Sequence, residues 1–107
     1  MPDVELDWGR LHYGEVGAGD PVLLISGLNG LTAPWRAVAD ALAPRFRVIT
    51  HDHRGLGASG AWDGDYSVDQ IAGDVLGLMD WLGLARAHLV GHSLGGAVAQ
   101  AIAADHP

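Results

Sequence analysis

The stretch "AHLVGHSLGG", residues 87–96, decides how the rest of this sequence is read. Residues 87–90 form a short apolar run of the kind that makes a buried strand, and Leu94 to about Asp105 is a small-residue segment suited to a helix. Between them lies a G-x-S-x-G pattern: Gly91, His92, Ser93, Leu94, Gly95. The letters alone carry little. With 16 glycines among 107 residues, about one shuffled chain in ten would contain the pattern by chance. The setting carries more, because a strand leads straight into it and a helix leads straight out. Such a junction forces a sharp backbone at the serine, and Gly91 and Gly95 keep side chains out of the crowded corner. The serine oxygen then projects above the sheet edge at a helix N-terminus, where N–H groups and the helix dipole favour developing negative charge. Ser93 is therefore the candidate nucleophile. Neighbouring side chains at such a turn diverge, so His92 is expected to pack rather than to reach the Ser93 oxygen.

Working outward, residues 3–16 alternate loosely, with Val4, Leu6, Leu11 and Tyr13 apolar and "DWGR" (7–10) offering a turn, which predicts an antiparallel hairpin. "VLLIS" (22–26) is a continuous apolar run, the pattern of a strand covered on both faces. After the loop "GLNG", Thr32 is a candidate N-cap and Pro34 a first-turn residue. Trp35, Val38, Ala39 and Leu42 then fall on one helical face, which Pro44 ends. "FRVIT" (46–50) reads as the next strand, followed by the loop "HDHRGLGASG", where His51 and His53 are expected to be solvated or structural. Ser67 and Gln70 make a capping box ahead of a stripe of Val68, Ile71, Val75, Leu78, Met79 and Leu82 that runs to Gly83. The order is a hairpin, then three strands alternating with helices. That predicts an α/β protein with a parallel sheet and helices on both faces.

Composition narrows the function. An apolar fraction of 49% is that of a globular chain. A net charge of −7, with all six basic residues arginine and scattered, argues against nucleic acid. The absence of cysteine removes disulfides, thiolate metal sites and a cysteine nucleophile, and fits a cytoplasmic location. The N-terminus carries three acids and no apolar core, so a signal peptide is not expected; the longest stretch without Asp, Glu, Lys or Arg, 87–104, is too polar for a membrane span. "GLGASG" (55–60) fits G-x-G-x-x-G, but it leads into a loop rather than a helix, and Asp80 falls within a predicted helix rather than at a strand end, so no nucleotide site is expected. No metal and no cofactor are expected.

Taken together, the hairpin, "PVLLISGLNG", "HDHRGLGAS" and "LVGHSLGGAVAQAIAADHP" resemble the α/β-hydrolase family, in the right order and at the right spacing. The resemblance implies Ser93 as nucleophile and the backbone N–H groups of Leu94 and Leu28 as oxyanion donors. Many members carry His-Gly where this chain has Ser26-Gly27, which bears on how that loop is held. Asp52 and Arg54, in the D-x-R-G-x-G-x-S loop, are expected to brace rather than to react.

In the family the acid and the histidine follow the serine in the chain, after later strands and a cap. The resemblance therefore implies that residues 1–107 correspond to the N-terminal portion of an α/β-hydrolase domain, a fragment lacking those later parts. It also implies that Ser93 has no base within the chain, and that the polypeptide alone is weak or inactive. The implied function is hydrolysis of a carboxylic ester, lactone or similar acyl bond, once Ser93 is completed by a base from outside the chain. The alternatives are a non-catalytic interaction module of the same fold, and a peracid-forming or carbon–carbon-bond hydrolase. The expected partner is a small acyl substrate. The strand at 87–90 becomes a bare apolar edge prone to pairing with another chain.

Overall fold

The structure, a computed structural model, describes residues 3–27, 35–57, 59–60 and 67–106. Two strands open the fold: β1 (Asp3–Leu6) and β2 (Gly9–Val16), paired antiparallel with Leu6 opposite Gly9, so that Asp7 and Trp8 form the turn. The alternation has its expected result. Val4 and Leu11 face each other across the pair and are buried together with Tyr13, while Asp3 and Glu5 are exposed.

The apolar runs become β3 (Asp20–Ile25) and β4 (Phe46–His51), which pair in parallel. A fifth strand, β5 (His88–Gly91), pairs in parallel with the other side of β3. The order across the five-stranded sheet is β1-β2-β4-β3-β5, with β2 antiparallel to β4. Among the described residues three helices cover it: α1 (Arg36–Leu42), α2 (Val68–Trp81) and α3 (Leu94–Asp105). Why β3 is apolar without interruption is now plain. Val22 and Leu24 pack with Val48 of β4 against Ala39 of α1, whereas Leu23 and Ile25 pack with Ile49 against α2 and α3 on the other face.

The helices follow from local signals and from burial. Ser67 caps α2 reciprocally with Gln70, as the capping box predicts, and Ile71, Val75 and Leu78 of the stripe are buried. In α3 the buried residues are Gly95, Val98 and Ile102, on the face turned to the sheet. For α1 the reading needs correction. Its first helical residue is Arg36, and Trp35 takes the N-cap position without a side-chain cap; Thr32 and Pro34 lie outside the described residues. Val38 fits the apolar spacing yet is exposed, because the contacts of α1 with the sheet run through Ala39, Trp35 and Leu42.

One consequence of this topology positions everything that follows. β3 and β5 are neighbours and parallel, but the helix after β3 lies on one face and the helix after β5 on the other. The C-terminal ends of β3 and β5 are therefore a switch point of the sheet, the place where open α/β sheets put their ligands. Ser26–Gly27 leaves β3 at that point, and Ser93 leaves β5.

Candidate functional site

Only two residues, His92 and Ser93, separate the end of β5 from the start of α3. The His92 N–H still bonds to the Ile25 carbonyl at 3.1 Å, so the ladder to β3 holds until the residue before the serine. Ser93 then adopts φ 58° and ψ −119°, the only positive φ of a non-glycine residue among the described residues. A side chain held there costs roughly 1–3 kcal/mol and persists only when the surroundings impose it. They do so through close packing of the main chain. A Cβ on Gly91 would stand 2.2 Å from the Gly95 carbonyl oxygen, and one on Gly95 would stand 2.0 Å from that of Ile25. The first turn of α3 closes at once, with the Gly95 N–H on the His92 carbonyl and the Gly96 N–H on that of Ser93, both at 2.9 Å. Leu94 occupies the first helical position, where a helix has no acceptor of its own for the N–H.

Ser93 is exposed, and among the described residues no side chain hydrogen-bonds to it. His92 is exposed as well, which corrects the expectation that it packs: among the described residues nothing pairs with the outer edge of β5 to cover it. On the β3 side, Gly27 comes close to the serine. A Cβ there would lie 3.2 Å from Ser93 Cβ and 3.7 Å from its Oγ. Leu28, the second expected donor, lies outside the described residues.

Two buried histidines hold the Ser26–Gly27 segment. The His53 Nε2–H donates to the Ser26 carbonyl at 3.0 Å, and His51 Nε2 lies 3.0 Å from His53 Nδ1. The proton positions follow by elimination. A carbonyl only accepts, so His53 carries its proton on Nε2; its Nδ1 is then the acceptor, and His51 donates from Nε2. Burial lowers the His51 pKa to about 3, with His53 adding to the effect. Burial also lowers that of His53, while its bonds to the backbone of Ser26 and Gly27 pull the other way. Of the two roles open to these histidines, the structural one applies. The Ser26 hydroxyl in turn accepts from Trp35 Nε1 at 2.7 Å, so this serine ties the end of β3 to the start of α1.

The loop after β4 is braced as expected, chiefly through Arg54. Its Nε and Nη2 donate to the two oxygens of Asp74 at 2.9 and 2.7 Å, and its guanidinium lies over the Trp8 ring. Trp8 Nε1 bonds the same carboxylate at 3.0 Å. The Ser59 hydroxyl donates to the Asp52 carbonyl and accepts from the His12 N–H, tying the loop to β2. Sequence reasoning missed Asp74 and Trp8; an acid at position 74, on the buried face of α2 between Ile71 and Leu78, was the available signal. Among the described residues no group of three or more His, Asp or Glu is placed to hold a metal, and no helix is long and apolar enough to cross a membrane.

The geometry thus brings Ser93 and Leu94 beside Ser26–Gly27, and keeps His51 and His53 beneath that segment rather than at the serine. Comparison with known proteins agrees with this arrangement of elements. Residues 20–107 match the alpha/beta hydrolase fold family. A protein of Caulobacter segnis provisionally named carbamate hydrolase RutD is 46% identical over 100 residues, covering 92% of this chain and 38% of that one. The enol-lactonase of Burkholderia xenovorans LB400 superposes with a TM-score of 0.92 at 38% identity, covering 98% of this chain and 42% of the other. Est816, described as an N-acyl homoserine lactone degrading enzyme, gives a TM-score of 0.92 at 34% identity, over 99% of this chain and 41% of its own. The chain spans about two-fifths of the length of these relatives. On the match over residues 20–107 and the fold that accompanies it, the chain belongs to the alpha/beta hydrolase family.

Proposed function

We propose that Ser93 is the nucleophile of a hydrolase acting on a carboxylic ester, lactone or related acyl bond. The observation that carries this is the strained backbone of Ser93, held at a strand-to-helix corner beside the Ser26–Gly27 segment. Carbamates, enol-lactones and acyl-homoserine lactones, named for the relatives, share a carbonyl carbon bearing an oxygen or nitrogen leaving group. Attack by Ser93 Oγ on that carbon gives a tetrahedral oxyanion, which the N–H groups of Leu94 and Leu28 receive. Its collapse expels the leaving group, and water then releases the acyl group from the serine.

The attacking hydroxyl must pass its proton to a base. Neither His51 nor His53 can serve, being buried and committed to each other and to Ser26. Among the described residues none hydrogen-bonds to the Ser93 side chain, so this reading assigns the base to other residues, and without it Ser93 is a weak nucleophile. The net charge of −7 favours a small acyl substrate over nucleic acid, and the cysteine-free sequence suits the cytoplasm. The test is hydrolysis of a p-nitrophenyl ester by the protein and by Ser93→Ala, with loss of the catalysed rate in the variant expected. Equal rates above background would refute the reading. A second reading, a non-catalytic interaction module, draws on the exposed edge of β5, and a Ser93-dependent esterase that stays monomeric would exclude it.

A further inference from the structure

We infer that His53 is a positioning residue for the oxyanion site, and that His51 fixes the proton on the ring nitrogen His53 needs for this. The inference rests on the reading of Ser93 as nucleophile and names what aligns its second oxyanion donor.

In the reading above the second oxyanion donor is the Leu28 N–H, which is carried by the peptide bond that follows Gly27, so what fixes Gly27 bears on that donor. Gly27 lies against Ser93, with room for a Cβ only at 3.2 Å from the serine Cβ. Among the described residues its neighbour Ser26 is held at two atoms: the carbonyl accepts from His53 Nε2–H at 3.0 Å, and the hydroxyl accepts from Trp35 Nε1 at 2.7 Å. His53 itself leaves β4 only two residues past the last residue paired with β2, and both histidines are 2% exposed. The Ser26–Gly27 segment is therefore pinned from beneath by the centre of the sheet.

Such a pin works in one tautomer only. With the proton on Nδ1, His53 Nε2 would present a lone pair to the Ser26 carbonyl, and the two would repel. The His51 Nε2–H, directed at His53 Nδ1 at 3.0 Å, selects against that form. The logic parallels an orienting group that holds a histidine in a working tautomer, except that the histidine here supports a donor rather than moving a proton.

The test combines nitrogen-15 imidazole spectra of the native protein with ester kinetics of three variants. His53 is expected to be neutral with its proton on Nε2; a proton on Nδ1 overturns the proposal. His53→Leu is expected to lower kcat about tenfold or more with KM changed less than about twofold, the pattern of a lost transition-state donor. His53→Gln, whose amide N–H reaches the same carbonyl, should recover much of that loss. If Ser93→Ala keeps a native rate that stands above background, the nucleophile reading falls and this proposal with it. If Ser93→Ala is inactive while a folded His53→Leu keeps its kcat, this proposal alone falls. Should His53→Leu not fold, either a low kcat in folded His53→Gln or the Nδ1 form in the native spectrum would overturn it, and a near-native kcat with the Nε2 form would uphold it.

Discussion

Gly95 and Gly96 are neighbours in the sequence, but replacing each with alanine should have opposite effects. A Cβ on Gly95 would stand 2.0 Å from the Ile25 carbonyl oxygen, 2.6 Å from its carbon and 2.8 Å from the Ser26 oxygen. All three are backbone atoms, and real Cβ atoms essentially never approach closer than 3.0 Å, so the shortfall is about 1 Å. β3 cannot retreat, because β4 and β5 pair with it on both sides. The start of α3 must lift instead, drawing Val98 and Ile102, now almost fully buried, away from the core. Overpacking that side chains can absorb costs about 1–3 kcal/mol, and here the main chain must yield, so Gly95→Ala should cost about 3 kcal/mol or more. That is a large share of the ~5–15 kcal/mol typical of a domain. A Cβ on Gly96 would come no closer than 3.7 Å to the Gly91 oxygen, an ordinary contact, and helix propensity then favours alanine by about 0.5 kcal/mol. Urea unfolding followed by far-ultraviolet circular dichroism measures both. With a slope of about 1.5 kcal/mol per molar, the Gly95→Ala midpoint should fall by about 2 M and that of Gly96→Ala should rise by about 0.3 M. A Gly95→Ala midpoint at the native value, or equal losses at both positions, would refute the close-approach argument.

Ser93→Gly should abolish ester hydrolysis yet raise stability by about 1 kcal/mol, because relief of ~1–3 kcal/mol of strain exceeds the entropy cost of glycine; Ser93→Ala, which keeps its Cβ at φ 58°, should show no such gain in thermal unfolding. Arg54→Met leaves the buried Asp74 carboxylate without its cation and should cost about 3–5 kcal/mol, while Arg54→Met with Asp74→Leu should cost less than the single change in the same denaturation assay. His51 is neutral in the folded state with its pKa near 3, so the unfolded chain, titrating near 6.5, takes up the proton first. Its contribution is complete above pH 6.5 and falls by up to about 1.4 kcal/mol per pH unit below that, down to about pH 3; urea midpoints between pH 7 and 5 should drop, and less steeply in His51→Phe. Val90 is 43% exposed on β5, a strand whose outer edge has no partner among the described residues, so the protein should associate with itself as concentration rises, and Val90→Lys should weaken that association in sedimentation velocity.

What the sequence made legible was whatever depends on neighbours along the chain. The period-2 pattern of residues 3–16, the uninterrupted apolar run of β3 and the Ser67–Gln70 capping box are local, and each element formed within a residue or two of its expected place. The corner at Ser93 was legible for the same reason, since a strand, two glycines and a helix meet within ten residues. Relations across the fold were not. Asp74 looked like a polar residue in an amphipathic helix, and only the structure sets it against Arg54, 20 residues away, and Trp8, 66 residues away. Val38 satisfied the helical spacing but missed the sheet, because spacing defines a face and not the width of the contact. His51 and His53 followed a strand and so resembled loop residues; they are buried because β4 lies between β2 and β3, an order that no single segment encodes. Ser26 joins the two kinds of information. Its difference from the common histidine was visible in the letters, but the compensation lies 27 residues onward, where His53 reaches back to hold the carbonyl. A substitution at one end of such a contact can therefore be read only with its partner, and for Ser26 that partner is His53.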